Sequence, residues 1–472
     1  MPGLSSINTA LSGLIAQQRA METIGNDIAN SQTEGFTRRR VDLAPAGGVG
    51  ASGVWSKNNS TGTGVTVAGI TRMGDELLDL RARSAMAGDS NASTTQTILG
   101  TLEQISPEPS DNGIAAKLSA FWSSWEDAAA APGDLGSRAS LLASAQNLTT
   151  SFRDIATSAT NYRDQLTSGL NSLVNQVNND SAQVAALNSQ IIAAKGAGVD
   201  ASDLEDQRGL ILDRLVKTTG ATTQINSDGS AAVFLGGSTL VRGISSENIK
   251  VTTGGTLDPP LDSTGLPKVG LQWATDGYAV TGLSGEMAAD MTGINSSVPQ
   301  YLADVNKVAS TLVSTVNSLH TSGHGLDTTN DVNLKFFDPA GTTAATIAIS
   351  TDVAGQPSRI ALGSSTGGAL DGSLGYQIGA LADSTTGADA VHRTVVSRLA
   401  NDVSVAASRS TVQTKIAQQA ASDRQAVVGV SLDEEMTALI AAQHAYAASS
   451  RVLTGVDDML DTLISHTGRV GL

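Results

Sequence analysis

The stretch SLDEEMTALIAAQHAYAASSRVLTGVDDMLDTLISH, Ser431 to His466, decides the fold. Leu432, Met436, Leu439, Tyr446, Leu453, Leu460 and Ile464 recur at alternating four- and three-residue steps, with Gln443, Ser450 and Asp457 in the same register. That is a heptad seam on one side of a helix. Ser431 followed by Glu434 is a capping-box pattern, and Asp433, Glu434 and Glu435 put negative charge at the positive end of the helix dipole. At 1.5 Å per residue the helix would be roughly 50 Å long. Ala441, Ala442, Ala445, Ala447, Ala448 and Ser449 fill its middle with small side chains. A rod with one apolar stripe needs a partner along its length, because most helical stability comes from packing. Asp457 interrupts the seam, where a polar residue can set register, and Asp461 lies on a polar face.

The other end of the chain repeats the pattern. Over residues 4–29, Ile7, Leu11, Leu14, Met21 and Ile28 fall on one stripe, with Gln18 and Gly25 in register. The economical arrangement is that the two terminal helices pack together, with each other or with copies from neighbouring subunits. The first helix ends in IANSQTEGFTRRRV, Ile28 to Val41. Asn30 is expected to stop it in the left-handed region, Gly35 to supply a positive-φ turn, and Phe36 to anchor the exiting strand. The run Arg38–Arg39–Arg40 reads as a solvated face or as a pairing site for a neighbour's carboxylates.

Between the ends the period changes twice. Residues 44–64 are rich in Gly, Ser and Asn and read as a loop, followed by a strand over Gly64–Ile70. Helices are predicted over Asp75–Gly100, Ile114–Ala130, Arg138–Lys195 and Leu204–Val216, with Phe121, Trp122 and Trp125 as core and Asp134 as a cap. The pattern from Leu141 to Ile191 is long enough for a coiled-coil-like rod. Thr222–Ile225, the turn Asn226–Gly229 and Ala231–Leu235 read as a hairpin, and short strands continue to Val280. Helix returns over Glu286–Leu319 and again over Ala388–Gln425. The segment between, with a short β signal at Ala344–Ile349, is loop-rich.

The expected fold is therefore mainly α with β-rich insertions: terminal coiled-coil-like helices, a long helical rod domain and small distal β domains. The expected division is 1–43 plus 430–472 as the inner assembly domain, and 44–220 plus 281–325 plus 387–429 as the helical rod domain. Residues 221–280 form a β-rich domain and 326–386 a small loop- and β-rich excursion. This layout brings the termini together and sends the β insertions to the far end.

Composition narrows the function. The 472 residues carry 45 Asp+Glu against 29 Lys+Arg, which argues against a nucleic-acid partner. With 3% aromatic and 16% charged residues, cores must be aliphatic and the surface largely Ser, Thr, Asn, Gln and Gly. There is no cysteine, hence no disulfide or thiolate chemistry. No apolar run is long enough to insert in a membrane. The opening MPGLSSINTALSG lacks the charged and apolar regions of a cleaved secretory signal. The protein is expected to be cytoplasmic or to leave by a route without one.

Catalytic constellations are weak. Gly363–Ser364–Ser365–Thr366–Gly367 matches a nucleophile elbow, but Gly368–Ala369–Leu370–Asp371–Gly372 does not make the helix that motif needs. His320 and His324 have a metal-binding spacing, yet Gly323 and Gly325 end the helix and no third ligand is near, so both read as solvated or capping. His444 and His466 read as facing solvent or a neighbour. Asp457, Asp458 and Asp461 imply no polar pocket, and there is no phosphate-binding or dinucleotide fingerprint. No catalytic, metal or cofactor site is expected, and the protein reads as a non-enzyme.

Several segments resemble the flagellar rod, hook and filament axial family, most closely its hook-associated members. They are GNDIANSQTEGFTRRRV (Gly25–Val41), TGVTVAGITR (Thr63–Arg72), FWSSWEDAAAAPGDLGSR (Phe121–Arg138), DLEDQRGLILDRL (Asp203–Leu215) with its hairpin, and LDEEMTALIAAQHAYAASSRVLTGVDDMLDTLI (Leu432–Ile464). The resemblance implies a secreted structural subunit at the hook–filament junction of the bacterial flagellum. The implied partners are copies of itself, the hook protein on one side and hook-associated protein 3 on the other. It also implies export unfolded through the flagellar type III apparatus, with a small chaperone on the C-terminal helix. The close alternative is a hook or distal rod subunit. The terminal helices are expected to be poorly ordered alone and to order on assembly. Their seams, Ile7, Leu11, Leu14, Met21 and Ile28 against Leu432, Met436, Leu439, Tyr446, Leu453, Leu460 and Ile464, are the expected assembly interface, with Asn30, Gly35 and Phe36 as the junction turn.

Overall fold

The computed structural model describes residues 2–46, 64–254, 262 and 264–467, so most of the loop expected at 44–64 lies outside the described residues. The chain opens with α1 (Pro2–Ala29) and an antiparallel hairpin of β1 (Arg39–Pro45) and β2 (Val65–Arg72), with Arg39 opposite Arg72. Four helices follow: α2 (Glu76–Ile105), α3 (Ile114–Ala130), α4 (Leu135–Gly196) and α5 (Ser202–Thr219). The Asp75 carboxylate accepts from the N–H groups of Leu77 and Leu78, and Asp134 from those of Gly136 and Ser137, so each caps its helix. With no proline in 62 residues, α4 runs unbroken for roughly 90 Å until Gly196. Its inward stripe, Leu141, Leu148, Phe152, Ala159, Leu170, Val177, Val184 and Ile191, is buried throughout.

Next come β3 (Thr222–Ile225), β4 (Ala231–Leu235), β5 (Ser238–Arg242) and β6 (Ser245–Ser246), joined in that order as an antiparallel sheet. A separate pair is formed by β7 (Ile249–Thr253) and β8 (Val269–Trp273). Helix α6 (Glu286–Thr292) passes through a π-turn, Gly293–Ser297, into α7 (Val298–His320). The two-residue strands β9 (Gly323–His324) and β10 (Gly363–Ser364) pair, and α8 (Ser373–Gly379), α9 (Ala388–Val428) and α10 (Leu432–Thr467) complete the chain.

Two cores share α4 as their spine. Its first half packs with α3, α7 and the segment from Phe336 to Ile378. There the scarce aromatics gather: Trp125 lies 4.9 Å from Phe336, and Phe121 5.9 Å from Phe336 and 5.8 Å from Phe337. The second half packs with α5, α6 and the strands β3–β8. Helices α2 and α9 lie side by side along the body, and α1 and α10 pair with each other.

The excursions differ in detail from expectation. The β signal at Ala344–Ile349 becomes turns with one bridge, Phe337 to Ile349. Of the two excursions, the one around β9 and β10 lies at the start of α4, where Arg138 donates to the carbonyls of Pro132 and Ile360. The strands β3–β8 lie beside the second half of α4, with β3 near the end of β2. The reason is the turn at Gly196–Gly198, which sends α5 back along α4. Arg208 of α5 then holds the β3–β4 turn at Gly229 O, 2.6 Å away, while Asp206 on the same helix binds Arg39 and Arg72.

Candidate functional site

The terminal pair is built on small residues. On α1 the inward positions are Ala10, Ala16, Thr23 and Asp27, and on α10 they are Glu435, Ala442 and Val456. The helices approach closely where Gly13 meets Ser449: a Cβ on Gly13 would stand 3.1 Å from Ser449 Oγ. Close approach lets backbones pack and pushes large side chains to the flanks. Hence Ile7, Leu14, Met21 and Ile28 are half-buried beside the α1 contact line, and Leu11 is exposed. On α10, Leu439, Leu453 and Leu460 are half-buried, whereas Leu432, Met436, Tyr446 and Ile464 are exposed. Positions three residues beyond Leu432, Leu439 and Leu453 take the contact, namely Glu435, Ala442 and Val456; Asp457 faces out. The sequence stripe was set by large side chains, and the contact by small ones.

Large apolar side chains are thereby left uncovered on more than one side of the pair. Ile15 is 57% exposed, Met459 61% and Ile464 75%, and Leu11, Ile440 and Val452 lie open as well. His444 is exposed, and the side chain of His466 lies outside the described residues.

The junction turn departs from expectation at Asn30. Among the described non-glycine residues only Asn333 has positive φ, so Asn30 is not left-handed. Its side-chain amide donates to Asn26 O at 3.0 Å, and its Oδ1 accepts from Thr33 at 3.1 Å, which closes the helix end through the side chain. Gly35 has φ 78°, and a Cβ there would strike Leu210 at 2.5 Å, so both conformation and space demand glycine. Phe36 is half-buried with the Arg39 guanidinium 4.9 Å over its ring.

The arginine run is not a solvated face. Arg38 binds Glu434 and Glu435 of α10 at 2.8 and 2.6 Å. Arg39 binds Asp203 and Asp206 of α5 at 2.5 and 3.0 Å, and Arg40 pairs with Asp42 in its own strand. Glu434 therefore points to Arg38 rather than back to Ser431 as the capping box required. Asp27 accepts from the Arg39 N–H at 3.1 Å. Burial raises its carboxyl to about 6, with Glu435 adding to the rise and Arg39 opposing it. Sequence spacing gave no sign of the Arg38 and Arg39 side-chain pairs, because those partners lie more than 160 residues away.

Elsewhere the polar groups hold the fold together. His320 and His324 are buried rather than solvated. His320 Nδ1 lies 2.7 Å from Leu334 O and Nε2 accepts from the Ala361 N–H at 2.8 Å. His324 Nδ1 lies 2.8 Å from Gly325 O and Nε2 3.0 Å from Gly367 O. Gly363–Gly367 is a short bridge and turn in which Ser364 donates to Asp371, not a strand–turn–helix elbow. Among the described residues no group of three or more His, Cys, Asp or Glu could hold a metal ion. No described helix is long and apolar enough to cross a membrane.

A long helical body with its two ends joined in one helix pair, and its buried polar groups spent on holding segments together, is the architecture of a structural subunit. The family description "Flagellar hook-associated protein FlgK helical domain" matches residues 99–337. "Flagella basal body rod protein" matches 7–37, and "Flagellar basal body rod FlgEFG protein C-terminal" matches 424–465. The flagellar hook-associated protein 1 of Bacillus subtilis is 26% identical, with 98% of each chain covered. That of Salmonella typhimurium is 26% identical over 68% of this chain, which spans 58% of the relative's length. The solved flagellar hook junction protein FlgK of Burkholderia pseudomallei superposes with a TM-score of 0.62 at 14% identity, covering 73% of this chain and 99% of that one. The chain belongs to the flagellar hook-associated protein FlgK family, structural components of the bacterial flagellum at the hook–filament junction.

Proposed function

We propose that this chain joins copies of itself into the hook–filament junction through the α1–α10 pair. The observation that carries the reading is the set of large apolar side chains the pair leaves exposed, Leu11 and Ile15 on α1 and Met436, Ile440, Val452, Met459 and Ile464 on α10. Each such side chain gains about 1.5–3 kcal/mol when taken fully out of water. Covering several of them in each copy favours association. In this reading residues 1–43 and 430–472 form the assembly domain, and the seam residues named from sequence flank its contact lines. The helical rod (44–220, 281–325, 387–429) and the two excursions (221–280, 326–386) stand outside it. The adjoining structures are the hook protein and hook-associated protein 3. Export runs through the flagellar type III apparatus, with a chaperone covering the exposed face of α10 beforehand. A chain without cysteine has no disulfide to hinder passage unfolded. The role requires neither catalysis nor a cofactor.

The matches at 7–37 and 424–465 bear rod-protein descriptions, which keeps a hook or distal rod subunit in view. The match over 99–337 favours the junction. The test is truncation after Ser431. The shortened chain is expected to keep its helical body, seen as an unchanged cooperative melt, and to lose incorporation at hook ends. Normal filaments and motility from the truncated chain would refute the reading. Labelling of intact flagella should mark a single band at the hook–filament boundary, and label along the hook or in the rod would select the alternative.

A further inference from the structure

Two short connections carry the chain between the terminal body (α1, the β1–β2 hairpin and α10) and the helical body. They are Met73–Asp75, from β2 to α2, and Gly429–Ser431, from α9 to α10, three residues each. Both are stitched to one residue. The Arg38 N–H donates to Val428 O at the end of α9, 3.0 Å away, and Arg38 O accepts from the Met73 N–H at 2.8 Å. Its guanidinium then reaches across to the first turn of α10, at Glu434 and Glu435. Arg39 makes the second tie. Its backbone is held by Asp27 of α1, and its side chain by Asp203 and Asp206 of α5 in the helical body. Arg72 of β2 shares Asp206 at 2.7 Å.

A groove of about 640 Å³ runs beside this joint, lined by the turn from Ser31 to Thr37, by Leu210 of α5 and by Thr414 to Gln425 of α9. Besides the two backbone bonds of Arg38, the ties across the joint are charged. Glu435 is buried, so removing Arg38 leaves an uncompensated buried carboxylate, a far larger penalty than losing an exposed pair. Asp206, also buried, would lose Arg39 and keep Arg72. The guanidinium fork also fixes direction, which an ammonium group does not.

We propose that Arg38 and Arg39 are positioning residues that set the angle at which the terminal helix pair leaves the helical body. The inference deepens the assembly reading and rests on it for its purpose: copies can close into a common ring only if every pair leaves at one angle. The geometry itself concerns the single chain.

The chain has no cysteine, so His444→Cys and Gln176→Cys, both at exposed positions, accept two spin labels cleanly. Pulsed dipolar spectroscopy then reads the distance between α10 and α4 in the full soluble chain. The parent should give one narrow distribution. Arg38→Gln and Arg39→Gln should broaden it severalfold, Arg39→Lys less so, and Arg38→Glu combined with Glu435→Arg should narrow it again. The melt of the helical body should stay unchanged throughout, which separates a loosened joint from unfolding. Incorporation at hook ends should fall about tenfold where the competent orientation falls to about a tenth of molecules. A distribution equally narrow in both glutamine variants overturns the inference whatever becomes of assembly, and so does a broad distribution in the parent. If instead the chain truncated after Ser431 still incorporates, the assembly reading fails while the distance result stands.

Discussion

His320 sits at the last turn of α7 with each ring nitrogen given a fixed task. Its partners assign the proton to Nδ1, which donates to Leu334 O, and leave Nε2 to accept from the Ala361 N–H. It thereby ties two points of the loop-rich excursion, Leu334 and Ala361, to α7, against Trp125 and Phe336. Burial lowers its pKa from 6.5 to about 4, since charging it inside the core loses hydration. The unfolded chain therefore binds this proton first on acidification. The stability it contributes is intact above about 6.5 and is lost as pH falls toward 4, an effect of order 3 kcal/mol. Asp27 and Asp290, both raised to about 6 by burial, act in the opposite direction between about 4 and 6. The clean readout is thus a difference. His320→Gln keeps both hydrogen bonds and cannot charge. It should melt lower than the parent at pH 7 through lost ring packing, and the gap should close as pH falls from 6.5 to 4. A gap that stays constant would show that His320 does not titrate in this way.

At the scale of elements, α1 and α10 depend on a line of small side chains. Replacing a helical glycine normally raises helix propensity, by up to about 1 kcal/mol for alanine. At Gly13 that gain should be outweighed, because a larger side chain meets Ser449 across the pair. Gly13→Leu is expected to push the helices apart at a cost of about 1–3 kcal/mol. Amide exchange over residues 6–28 and 440–456 should accelerate, with no change in α4 or α7. Slower exchange across the pair would mean that the close approach is not made. The contrast with α4 is instructive. Its stripe of leucines, valines and Phe152 is both the pattern visible in the sequence and the surface buried in the fold, because it meets several elements that large side chains can fill. In α1 and α10 the visible stripe and the contact line are neighbours, one step round the helix.

Across the whole molecule, stability is unevenly spread. The helical body buries Trp125, Phe121, Phe152, Phe336 and Phe337 completely, whereas the terminal pair buries chiefly alanines, Thr23, Asp27, Glu435 and Val456. Local opening follows buried apolar contact. Hydrogen exchange of the soluble chain should therefore find residues 6–28 and 432–460 opening at far lower free energy than α4 and α7. Protection should rise in the assembled state as these exposed side chains are covered. Equal protection of both bodies in the free chain would remove the reason for assembly to order the ends.

The order of the long helices, the hairpin at Thr222–Leu235, the cap at Asp134 and the glycine turn at Gly35 were determined by the sequence itself. Each depends on residues within a few positions of one another: a period, a cap, or a backbone angle open to glycine. Which side of the terminal stripes is buried, where the arginines find their carboxylates and how both histidines are covered were decided only by the tertiary structure. Those outcomes depend on steric fit and charge pairing between segments far apart in the chain, for which spacing along one segment carries no signal.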